Sequence, residues 1–150
     1  MNIIFCDIDG VLVPLKNRND LFGFYPYCVD ALNELTKKGN CEIVITSNWR
    51  YSMSTKDLAQ KFAFSGVMKN PIGVTPMGKK GPGVLGVYQA KGRQEEIYQW
   101  LGEHPDVNNY VILDDESAEI TSARLVLVNG LYGLRFDDVE KALGILGVKG

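Results

Sequence analysis

Residues 2–13, NIIFCDIDGVLV, decide how the rest of the chain is read. The run from Asn2 to Asp7 is apolar between its ends and stops at an acid, as a strand buried on both faces of a parallel sheet does. Asp7 and Asp9 stand two residues apart, a spacing that can send both carboxylates to one side of a strand end. Gly10 then lets the chain turn tightly. A calcium loop is excluded. With Gly10 in its sixth position, the first and twelfth positions fall on Phe5 and Lys16, where acids are required. An ordinary Asp-Gly turn would explain one acid after a strand, but a second acidic pair, Asp114-Asp115, follows another apolar run.

Working outward, 41–46 (CEIVIT), 110–113 (YVIL) and 124–128 (RLVLV) read as further strands. Helical spacing of apolar residues predicts a helix carrying Tyr27, Ala31, Leu32 and Leu35, stopped by Gly39. Further helices are predicted over 55–63, 93–103 and 137–147. Strands alternating with helices imply an α/β fold with a mostly parallel sheet covered on both faces. Ligands bind such sheets beyond the carboxyl ends of the strands, which gathers Asp7, Thr46 and Asp114 at one edge.

The segment 65–92 is a long Gly-rich connection, with short strands expected at 72–75 and 84–88. No acid occurs between Asp57 and Glu95, whereas Lys61, Lys69, Lys79, Lys80, Lys91 and Arg93 are basic. Loops of this length in compact domains are usually functional or disordered.

The chain has 150 residues, 45% hydrophobic and 23% charged, with a net charge of −2. This suits one folded, soluble domain over 1–150 and excludes a low-complexity chain. The charge is not that of a protein that coats nucleic acid. No apolar run approaches the ~20 residues of a membrane helix, and acids reached this early do not suit a signal peptide. Cys6, Cys28 and Cys41 fit neither a disulfide framework nor a zinc site, so a reducing, cytoplasmic setting is expected.

The order DIDGVLV (7–13), IVITSN (43–48), Lys91 and VILDDE (111–116) resembles the haloacid dehalogenase (HAD) superfamily of phosphatases. Trp49-Arg50 and the stretch Trp100-Leu101, His104-Pro105, Tyr110 to Asp115 are similar to the HAD-type domain of Swiss Army knife RNA-repair proteins. The resemblance implies a Rossmannoid three-layer sandwich. The two insertion points offer only about 15 and 25 residues, so the cap is minimal or absent.

On this resemblance Asp7 is the nucleophile that forms an aspartyl-phosphate, and Asp9 is the general acid and then base. An Asp at position 9 sets the chain apart from true dehalogenases, whose halide leaving group needs no proton. The expected cofactor is Mg2+, held by the Asp7 side chain, the Asp9 carbonyl and the Asp114-Asp115 pair, with Asp115 closest to the metal. Either Thr46 or Ser47 supplies the phosphate-binding hydroxyl, Asn48 and Arg50 are further substrate-binding residues, and Trp49 and Arg50 either stack on or contact the phosphate-bearing substrate or simply pack beside it. The charge-compensating cation is Lys91 or Arg93, with Lys91 favoured. The expected substrate is a phosphate monoester, such as an RNA or DNA end, with Lys69, Lys79 and Lys80 drawing in the polyanion. A non-catalytic phosphate-end or protein-binding module and a phosphotransferase are the alternatives. His104 is read as a helix-end residue, Cys6 as core, and Phe22, Phe24, Tyr25 and Tyr27 as loop-anchoring core.

Overall fold

The computed structural model describes residues 1–17, 23–77 and 92–148. Five strands form one all-parallel sheet: β1 (Asn2–Cys6), β2 (Cys41–Ile45), β3 (Gly73–Val74), β4 (Asn109–Asp114) and β5 (Leu125–Leu127). Their spatial order is β3-β2-β1-β4-β5, so β1 lies at the centre, where the order reverses. Helices α1 (Pro26–Gly39), α2 (Thr55–Phe64), α3 (Arg93–Gly102) and α4 (Phe136–Ile145) connect or follow the strands. This is the expected α/β architecture, a parallel sheet with its core divided between both faces. The expected strand at 84–88 lies outside the described residues.

Alternation along β1 divides the core. Ile4 and Cys6 point to one face, where they join Ile43, Ile45, Val111 and Leu113 under α1, α2 and α4. Ile3 and Phe5 point to the other face and meet Ile97 and Trp100 of α3. The Phe5 ring stands edge-on to Trp100 at 5.5 Å and to Tyr110 at 5.8 Å. Full burial of Cys6 agrees with its reading as a core residue.

Two sequence expectations are displaced by packing. Helix α1 is closed by Asn40 in the left-handed conformation (φ 49°), not by Gly39. Gly39 is needed for space instead, because a Cβ there would lie 2.8 Å from Cys41 Sγ and 3.1 Å from Leu146 Cδ1. Tyr27 is half-exposed and lies against Phe136, while Cys28, Val29, Ala31, Leu32 and Leu35 form the buried face of α1. Phe24 is buried edge-on to Phe62, as a loop anchor should be, and Phe22 lies outside the described residues.

Register sets the site. Cys6 is level with Ile45 on one side and Leu113 on the other. The Asp7 amide donates to Leu113 O at 3.1 Å and the Thr46 amide to Cys6 O at 3.0 Å. Asp7, Thr46 and Asp114 therefore leave the sheet together at its carboxyl edge.

Candidate active site

Asp7 follows β1 directly and is 5% exposed. Its Oδ1 accepts from the Ile8 amide at 2.9 Å. The chain then reverses: the amides of Val11, Leu12 and Val13 all donate to Ile8 O, and Gly10 donates to Val13 O. Gly10 has φ +78°, a conformation costly for any residue with a Cβ. A side chain there would also fall on the Asp115 carboxylate. Asp9, on the same turn, accepts from the Trp49 indole Nε1–H at 3.0 Å.

Asp114 ends β4, is 2% exposed, and accepts the Glu116 amide through Oδ1 at 3.0 Å. Asp7, Asp114 and Asp115 each bring one carboxylate oxygen within 4.8 Å of the others. Arg93, the first residue of α3, reaches back over this cluster. Its Nη1 lies 3.0 Å from Asp7 Oδ2 and 2.8 Å from Asp114 Oδ2, and its Nη2 donates to Asn48 Oδ1 at 3.3 Å. Lys91 lies outside the described residues.

Burial pushes the Asp7 carboxyl up to about 7. Arg93 opposes that rise, and the Asp114 charge adds to it. Asp115 is raised as well, by burial first and then by Asp114. For Arg93, burial favours the neutral form, but the charges of Asp7 and Asp114 prevail and hold it protonated. One guanidinium thus faces three clustered carboxylates. Closely spaced hard oxygen donors with excess negative charge suit a hard divalent cation.

A cleft of about 570 Å³ opens over the cluster, lined by Asp7, Asp9, Ser47, Asn48, Arg93 and Asp115 among others. Thr46 is fully buried, and its Oγ1 has no partner among the described residues. Ser47 lines the cleft, and its Oγ accepts from the Trp49 amide at 3.2 Å. Arg50 turns elsewhere. Its Nη2 donates to Glu96 Oε1 at 2.6 Å, and its Nη1 bonds Thr75 and Pro76 O at the end of β3. Lys69 is paired with Glu42 at 2.8 Å, so part of the positive charge of the long connection is met locally. Lys79 and Lys80 lie outside the described residues. His104 stacks on Trp100 at 3.7 Å and lies outside the cleft lining.

Three features escaped the sequence. Glu96 as partner of Arg50 had a signal, since it shares the buried face of α3 with Ile97 and Trp100. The Trp49–Asp9 bond and the role of Gly130, whose Cβ would lie 2.6 Å from Asp115 Oδ2, had none.

A scan of protein families matches residues 3–139 to the HAD domain in Swiss Army Knife RNA repair proteins. The chain belongs to this family. Comparison with curated proteins and with solved structures gives no match. Membership supports a HAD-type hydrolase, and this HAD domain carries an aspartate cluster able to bind a metal ion. Among the described residues no helix is long and apolar enough to cross a membrane.

Proposed function

We propose that this HAD domain is a magnesium-dependent phosphohydrolase working through an aspartyl-phosphate on Asp7. The observation that carries the reading is the cluster of Asp7, Asp114 and Asp115, with Arg93 over it and Asp9 at the same cleft. One Asp7 oxygen attacks phosphorus as the bond to the leaving oxygen breaks, and that oxygen takes its proton from Asp9. Water then attacks the phosphorus of the aspartyl-phosphate and gives a proton to Asp9. Inorganic phosphate departs and the Asp7 carboxylate is restored.

Asp7, Asp114, Asp115 and the Asp9 carbonyl are the residues that would hold magnesium. Bound there, the ion neutralises the phosphate dianion and so lets a carboxylate approach it. Arg93 fills the charge-compensating role for which the sequence reading favoured Lys91, because its guanidinium spans the nucleophile and Asp114. Thr46 and Ser47 contact phosphate oxygens. An unpartnered buried hydroxyl such as that of Thr46 calls for a partner, and a phosphate oxygen would be one.

The substrate class is a nucleotide or nucleic-acid terminal phosphate. The family's RNA-repair description supports it. So does the shortness of the stretches that could cover the cleft, about 15 and 25 residues. The three buried free thiols fit a reducing setting such as the cytoplasm. A phosphate-release screen with magnesium tests the reading, using p-nitrophenyl phosphate, mononucleotides, 3′- and 5′-phosphorylated RNA and DNA, and phosphopeptides. Release from nucleic-acid ends above the other classes is expected. No release from any of them contradicts a phosphatase.

A further inference from the structure

Trp49 and Arg50 are neighbours on a 3-10 turn, Asn48–Tyr51, yet their side chains leave it for different parts of the molecule. The Trp49 indole donates to Asp9 Oδ2 at 3.0 Å, and its ring tilts against Phe24 at 6.1 Å. Arg50 is sunk beside α3, where its side chain and that of Glu96 are 2% and 3% exposed. Two further bonds from Arg50 Nη1, to Thr75 O at 3.0 Å and Pro76 O at 3.2 Å, fix it to the end of β3. The Ser47 hydroxyl caps the turn by accepting from the Trp49 amide. The turn is thereby held from both ends, with Asn48 touching Arg93 and Trp49 touching Asp9.

We propose that Trp49 is a positioning residue: its indole N–H holds the Asp9 carboxyl in the orientation from which Asp9 serves the leaving oxygen. The buried Arg50–Glu96 pair anchors the turn that presents it. This rests on the phosphohydrolase reading above. The chemistry of the donor makes the assignment specific. An indole nitrogen donates and never accepts, so the Asp9 oxygen facing it must be an acceptor. The bond from Trp49 to Oδ2 thereby sets how the Asp9 carboxyl is turned. The terminal torsion of an aspartate carboxyl has a broad range that a bonded donor narrows, and a proton donor must lie within hydrogen-bond reach of the leaving oxygen.

The test pairs kinetics with a spectroscopic readout. Trp49→Phe keeps an aromatic ring against Phe24 and removes the donor. Substrates whose leaving oxygen needs a proton suffer most from a misplaced acid. The ratio of kcat for p-nitrophenyl phosphate to kcat for an alkyl phosphate should therefore rise at least tenfold over wild type, and Trp49→His, which restores a ring N–H, should recover part of it. An unchanged ratio in a folded Trp49→Phe protein overturns the proposal while leaving the phosphohydrolase reading intact. Absence of phosphatase activity in the wild type overturns both. Should Trp49→Phe fail to fold, the indole N–H resonances of 15N-labelled protein decide the matter. Asp9→Asn should shift the Trp49 signal and leave that of Trp100 in place, and an unmoved Trp49 signal refutes the contact.

Discussion

Gly130 packs directly on Asp115. A Cβ built on Gly130 would lie 2.6 Å from Asp115 Oδ2 and 3.2 Å from its Cβ, and Gly10 closes on the same carboxylate from the opening turn. Two glycines far apart in sequence thus shape the space that one carboxylate occupies. The loop of Gly130 is tied back to the first turn, since Leu15 N donates to Gly130 O at 2.9 Å.

Gly130→Ala should therefore displace the Asp115 side chain and weaken magnesium binding. Overpacking of this kind costs about 1–3 kcal/mol of stability. Titration calorimetry with magnesium, beside thermal unfolding in chelator, checks both effects. Unchanged metal affinity in the alanine variant would show that Asp115 is not a ligand.

Arg93 and Lys91 can be told apart by substitution. Removing Arg93 leaves Asp7 and Asp114 buried without their cation, and breaking such a pair costs on the order of 3 kcal/mol. Arg93→Met should lower the melting temperature in chelator, abolish turnover, and recover part of its stability when magnesium is added. Lys91→Ala should lose far less activity. A larger loss at Lys91 than at Arg93 would return the charge-compensating role to Lys91.

Asp7 makes stability depend on pH in a set direction. Its carboxyl is raised by burial to about 7 in the folded protein, against an ordinary 3.8. Between those values the folded chain keeps a proton that the unfolded chain has lost, so stability falls as pH rises through the window. The loss is complete above about pH 7. In chelator, Asp7→Asn should be more stable than wild type near pH 8, by a few kcal/mol at most. That advantage should shrink to little below pH 4. Denaturant melts across pH 4–8 check this, and a difference that does not vary with pH would contradict it.

The sheet and the aspartates were legible in the sequence because central parallel strands read as apolar runs, and those at Asn2–Cys6 and Asn109–Asp114 carry acids at their carboxyl ends. Register then brings the two acidic pairs together without further information. Side chains on turns were less legible, because a turn has no period to say which way a residue points. Arg50 stood beside the site in sequence and proved to be buried against Glu96, whereas Trp49 next to it reaches Asp9. Lys91 and Arg93 stayed alternatives because neither residue type nor spacing says which side chain folds back over the aspartates, and of the two only Arg93 is among the described residues. Gly130 gave no sign, since the space it leaves exists only after distant loops have met.

The most direct test of the account is to trap the phosphorylated residue. Asp9→Asn protein, slowed in hydrolysing the intermediate, would be incubated with magnesium and p-nitrophenyl phosphate, quenched in acid, and digested for mass spectrometry. One phosphoryl group is expected on the peptide carrying Asp7, labile to hydroxylamine and absent when Asp7 is also changed to Asn. Phosphate release by the wild type, with no phosphoryl group on Asp7 in the trapped protein or with the label on another residue, would contradict it.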